Sequence, residues 1–155
     1  MSVARGVAVG LVAALVLAGA ASGQERKIPR SELPPAVERA VAAESQGAEI
    51  RGFSVETEHG QTHYEAEMTI NGHSKDVLMD SSGAVVEVEE QVALDALPPA
   101  VRSGLTARAR GGKIGKVESL TKHGTLVAYE AVVTTNGQRS EIQVGPQGEV
   151  LPHEE

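Results

Sequence analysis

Tyr64-Glu65-Ala66-Glu67-Met68-Thr69-Ile70-Asn71-Gly72 decides the fold, and the chain carries it a second time as Tyr129-Glu130-Ala131-Val132-Val133-Thr134-Thr135-Asn136-Gly137. In the first copy Tyr64, Ala66, Met68 and Ile70 alternate with Glu65, Glu67 and Thr69. In the second, Tyr129, Ala131 and Val133 alternate with Glu130, Val132 and Thr134. Period two with a polar opposite face predicts a half-buried β-strand. Each strand runs into Asn-Gly, the strongest short signal for a type I′ hairpin turn. Third strands follow, carrying Val77 and Met79, or Ile142 and Val144.

Working outward, the repetition extends through the rest of the chain. Leu33-Pro34-Pro35-Ala36-Val37 recurs as Leu97-Pro98-Pro99-Ala100-Val101, Ile50 as Ile114, and His59-Gly60 as His123-Gly124. One residue is inserted before the repeated tyrosine, after which Gly83 matches Gly148. A shared order of identical residues with a single slip points to duplication of one folding unit. Pro35 and Pro99 suit the first turn of a helix, where a missing N–H leaves nothing unsatisfied. Leu33, Val37 and Val41 fall on one helical face, as do Leu97, Val101 and Leu105. Gly47 and Gly111-Gly112 stop the helices. Strands follow near Glu49–Glu58 and Lys113–Lys122, and short last strands are expected at Val85–Glu89 and Glu149–Leu151. The expected fold class is α+β. Two tandem units each hold one helix and a four-stranded antiparallel sheet, the helices lie on one face, and the two sheets are free to join into one.

The chain has 155 residues, no cysteine, no tryptophan and three aromatic residues, Phe53, Tyr64 and Tyr129. The core must therefore come from Val, Leu, Ile, Ala and Met. Thiol catalysis, cysteine-ligated zinc and disulfide staples are excluded. Arg5, the uncharged apolar run from Val7 to Ala18 and the small residues Ala18-Gly19-Ala20 and Ala21-Ser22-Gly23 read as a secretory signal. The expected partition is signal peptide 1–23, leader 24–31, first repeat 32–92 and second repeat 93–155. A periplasmic or secreted location is expected, with no membrane association once the signal is cleaved.

The repeated elements resemble the PepSY domain. The resemblance rests on Tyr64-Glu65, Asn71-Gly72, Val77, Asp80, Gly83 and Val85, and on Tyr129-Glu130, Asn136-Gly137, Gly148 and Val150. The upstream Leu-Pro-Pro-Ala-Val segments are similar to the PepSY-like group related to β-lactamase inhibitor proteins. The resemblance covers about Ile28 to Leu151. It implies tandem helix-plus-sheet units sharing a concave sheet, an extracytoplasmic location, and inhibitory or binding roles towards other proteins, often hydrolases.

The candidate binding residues are Glu65, Glu67, Glu130 and Val132 on the sheet face away from the helices. Tyr64, Tyr129, Asn71, Gly72, Asn136 and Gly137 are structural marks of the repeat. Charges alternating along a strand are more often solvated surface than a site, and general acid–base work would require two of them in one pocket. His59-x-x-x-His63 has metal-ligand spacing for a helix, yet it straddles a turn, so no metal site is expected. His73, His123 and His153 add no second ligand pattern. Gly111-Gly112-Lys113 lacks the spacing of a phosphate loop and precedes a strand. Ser31, Ser81 and Ser82 have no paired base, so no catalytic residue is assigned. Charge is uneven between the copies. Residues 31–96 hold 14 acids and three bases, net −11, whereas residues 97–155 hold six acids and seven bases, net +1. The overall charge of −7 disfavours nucleic acid. The expected function is that of an exported, non-enzymatic protein-binding module without cofactors, an inhibitor or modulator of an extracytoplasmic hydrolase. Its partner would be another extracytoplasmic protein. The alternative is a periplasmic protein that binds a small ligand or a cation on its acidic sheet face.

Overall fold

The computed structural model describes residues 25–58, 60–153 and 155. The expected signal segment 1–23 and His59 lie outside these residues. The described chain runs β1 (Arg26–Ile28), a short 3-10 turn (Arg30–Glu32), α1 (Pro35–Glu44), β2 (Glu49–Glu58), β3 (Gln61–Ile70), β4 (His73–Asp80), β5 (Val85–Gln91), α2 (Pro99–Ala109), β6 (Lys113–Lys122), β7 (Thr125–Thr135) and β8 (Gln138–Val144).

The expectation of two separate helix-plus-sheet units is overturned. All eight strands form one antiparallel sheet, in the order β1 to β8. Strand makes up 51% of the described residues and helix 19%, so the sheet is the scaffold and the helices cover it. The repeating order is also different from the helix followed by four strands expected above. Lys27 pairs with Ser54 as Gln91 pairs with Glu118, at corresponding positions of the two copies. The equivalent of β5 is therefore β1, supplied by the leader. The structural repeat is strand, helix, strand, strand, strand, and Val85–Gln91 opens the second copy instead of closing the first. No strand forms at Glu149–Leu151. Pro152 stands there at the position equivalent to Glu87 of β5. It lacks an N–H and fixes φ, both unfavourable for a ladder strand.

Local chemistry explains the rest of the register. Asn71 and Gly72 have φ of 52° and 84°, and Asn136 and Gly137 have 52° and 79°. Those positive angles at both central positions are what a type I′ turn requires. They fix Glu67 opposite Asp76 and Thr134 opposite Arg139. The single-residue slip becomes a bulge. Leu120 pairs with Ala128 and Thr121 with Leu126, so Val127 has no partner.

Two cores lie on one face. Under α1, buried Val37 and Val41 meet Ile28, Phe53, Ala66, Met68, Val77 and Met79. Under α2, Leu97, Val101 and Leu105 meet Val117, Ala131 and Val144. Tyr64 and Tyr129 pack against these clusters while partly exposed. Val88 belongs with the first core and pairs with Thr121, which lies four residues along β6 from Val117 of the second, on the same face. Both helices thus share a side of the sheet. Full burial of each Val, Leu or Met contributes roughly 1.5–3 kcal/mol. Lys75, almost enclosed, joins sheet to helix through Glu44 at 2.9 Å. The turn glycines Gly83 and Gly148, at φ 82° and 78°, pass so close to the first helical turn that a Cβ would collide with the carbonyl of Ala36 or Ala100.

Candidate functional site

Alternation puts Glu65 and Glu67 opposite the Ala66 and Met68 side, on the face with no helix. Register then carries the same face across the sheet. One row runs Glu67, Asp76, Glu89, Leu120, Ala128. A second runs Lys27, Ser54, Glu65, Leu78, Glu87, Lys122. A third runs Gln91, Glu118, Glu130, Gln143. Carboxylates at 65, 67, 76, 87, 89, 118 and 130 therefore share one surface, at strand-neighbour spacing. Glu65 and Glu67 come from the first copy and Glu130 from the second. Val132, buried, lies on the same surface opposite Glu141.

The crowding shows in the protonation equilibria. Burial pushes the Asp76 carboxyl up to about 7, with further upward pressure from Glu65 and Glu118. Burial pushes Glu89 up to about 8, assisted by Glu118, Glu87 and Glu130. Glu65 is raised chiefly by burial although the Ser54 hydroxyl donates to it at 2.8 Å. Glu87 is raised by burial against the pull of Lys122. Partial desolvation disfavours a carboxylate, and each neighbouring anion adds to that cost. Relief comes from the margins. Lys27 pairs with Glu67, and Lys116 with Glu118 at 2.8 Å. The Ser74 hydroxyl donates to Glu118 at 3.1 Å, and the Gln143 amide to Glu130 at 2.9 Å.

Two groups of three carboxylates come together, Glu25 with Glu65 and Glu67, and Asp76 with Glu89 and Glu118. In each, one oxygen per residue lies within 4.8 Å of the others. All-oxygen donors suit a hard cation such as calcium. Histidine belongs to neither group. His63 stands opposite Asp80 near one end of the strands, His73 begins β4, and His123 occupies the β6–β7 turn with its N–H donating to the Val86 carbonyl. Ser82 donates twice to Asp80, through its hydroxyl and its N–H, which makes it a turn former. Gly111-Gly112-Lys113 leads into β6.

The second half of the face is treated differently. The chain after β8 returns to it, where the Glu155 N–H donates to Gln143 Oε1 at 2.8 Å and the Glu155 carboxylate stands 4.0 Å from Lys122. Leu120 and Ala128 are buried there although no helix covers them.

Asp76, Glu87, Glu89 and Glu118 are the site residues that sequence reading missed. Asp76 had a signal. A two-residue turn at Asn71-Gly72 places it across from Glu67. The others need the β4–β5 and β5–β6 pairings, which no local pattern announces.

No helix among the described residues is long and apolar enough to cross a membrane. No protein family model and no curated protein sequence matches the chain. Solved structures do. A BLIP-like protein from Bacteroides fragilis aligns over 75% of this chain and 81% of its own, with 19% identity and a TM-score of 0.56. A protein described as periplasmic from Bacteroides eggerthii aligns over 76% and 85%, with 21% identity and a TM-score of 0.63. A DUF2874 family protein from Bacteroides ovatus aligns over 76% and 84%, with 20% identity and a TM-score of 0.60. At such identities the likeness is one of fold. The chain has a BLIP-like fold.

Proposed function

We propose that this protein is an exported binding module whose helix-free sheet face takes up basic side chains of another extracytoplasmic protein. One observation carries the reading. Seven carboxylates occupy one continuous surface, and those at its centre, Asp76 and Glu89, are held up to about 7 and about 8. A Lys or Arg docked among them would supply the counter-charge that the chain itself provides only at the margins. The role is one of binding and not of catalysis. The hydrophobic stretch before Gly23, the PepSY-like pattern of each repeat and the BLIP-like fold support an exported inhibitor or modulator, with an extracytoplasmic hydrolase as the target. The test compares wild type with Glu65→Lys/Glu67→Lys as bait on an extracytoplasmic fraction. A basic hydrolase retained by wild type and lost by the variant, whose activity falls when wild type is added, fits the reading. Equal retention by both baits would exclude this face.

A second reading has its own observation. The grouped oxygens of Asp76, Glu89 and Glu118 suit a divalent cation. Calcium titration by calorimetry separates the two: heat lost in Glu89→Gln favours the cation, and no heat favours the protein partner alone.

A further inference from the structure

The sheet has two ends, and they are finished differently. At one end β1 is three residues long, carries Arg26 and Lys27, and is followed by Pro29. Short, basic and proline-flanked edges resist pairing with other chains. At the other end β8 runs seven residues, Gln-Arg-Ser-Glu-Ile-Gln-Val, with no proline, glycine or lysine. Its register with β7 is uninterrupted. The corresponding edge of β4 is covered by β5 within the chain. The segment that would cover β8 in the same way is the one broken by Pro152, and its end crosses the sheet face instead. Arg139 and Glu141 stand two apart on the helix-free face of this edge, Arg139 exposed and Glu141 partly so. Neither side chain makes an ion pair or hydrogen bond among the described residues.

We propose that β8 is a self-association edge, pairing antiparallel with β8 of a second copy about a two-fold axis at Ser140. Charge and pleat select this register. A pairing that preserves the faces must set odd residues against odd ones, because a one-residue slip turns every side chain over. With Ser140 opposite itself, Arg139 meets Glu141 of the second copy and Glu141 meets its Arg139. A shift either way along the strand sets Arg139 against Arg139, or Glu141 against Glu141. The head-to-tail alternative, β8 against β1 in the manner of β4 against β5, sets Arg139 against Lys27 and Glu141 against Glu25. Like charges directly opposite one another disfavour a pair, and unlike charges favour it. A two-fold axis at a sheet edge also closes the assembly at two copies. The product is one sixteen-stranded sheet with both helix-free faces on the same side.

The edge buries less than the roughly 800 Å² per partner of a standard interface, so the dimer forms reversibly and is concentrated-solution behaviour. Sedimentation equilibrium on the chain from Glu25 onward, which contains both cores, is the test. Its mass should climb from one copy towards two as concentration rises. Arg139→Glu and Glu141→Arg should each weaken dimerisation by about tenfold or more. An equal mixture of the two variants should dimerise again, because each supplies the charge the other lost, and so should the double variant. Ser140→Cys, the sole thiol in such a chain, should cross-link to a dimer under mild oxidation. Mass that stays at one copy, single variants that associate like wild type, failure of the mixture to recover, or growth past two copies would each overturn the proposal. These outcomes are independent of whether the acidic face binds a partner.

Discussion

Glu89 and Asp76 favour their protonated forms in the folded chain. Ordinary values are 4.5 and 3.8, against about 8 and about 7 here. The folded state therefore holds these protons more tightly than the unfolded state does. Their contribution to stability is complete below about pH 4 and is lost as pH rises through 7 to 8. Glu89→Gln removes the anion and keeps the shape. Thermal melts should show the variant level with wild type near pH 4 and more stable at pH 8.5, by roughly 2–8 °C for each kcal/mol of repulsion relieved. A variant that melts lower than wild type at pH 8.5 would show the carboxylate to be a needed charge. Core residues behave in the usual way. Leu105 of α2 is fully buried against the sheet, and Leu105→Ala should cost about 2–5 kcal/mol in urea titration. Tyr64 and Tyr129 only border the core. Tyr64→Ala should cost less, about 1–3 kcal/mol.

At the scale of elements, legibility followed locality. Both helices, the Asn-Gly hairpins and the strands flanking them could be read because each carries its own signal: Pro at the first helical turn, period-two alternation, positive φ at Asn and Gly. The short β1 could not be read. Arg26-Lys27-Ile28 shows no alternation worth the name, and only its pairing with Phe53, Ser54 and Val55 makes it a strand. The same locality hid the site. Glu65 and Glu67 are visible beside their tyrosine, but Glu89 and Glu118 reach them only through β5, whose partners lie in both copies. The repeat also misled at its end, where Gly148 promised a strand that Pro152 prevents. Gly148 itself is testable. Gly137→Ala meets only open space and should cost about 1–2 kcal/mol for its left-handed backbone. Gly148→Ala adds a collision with the Ala100 carbonyl and should cost clearly more, with a lower urea midpoint and unchanged slope.

Across the whole molecule, the proposed docking of a basic partner on the acidic face would be a proton-linked event. A basic side chain docked beside Glu89 stabilises the carboxylate and so expels its proton. Calorimetry in buffers of different ionisation heat should show proton release on association at pH 7, and affinity should rise from pH 6 to pH 8.5. Association should also slow as salt is added, because such charge accelerates encounter more than it tightens the complex. Constant affinity across that range, with no buffer dependence, would place the partner elsewhere.

The sheet order has a consequence for how the chain reaches this state. Every strand pairs with its immediate neighbour in sequence, from β1 through β8. Five of the seven pairings join strands separated by only a short turn. Closing a small loop costs little entropy before pairing offsets it, and low contact order speeds folding. Ladders can zip outward from either Asn-Gly hairpin without waiting for distant segments to meet. The slow step then falls at the two places where a helix separates paired strands, β1 from β2 and β5 from β6. Pulse-labelled hydrogen exchange should find β3–β4 and β7–β8 protected first, and the β5–β6 seam last.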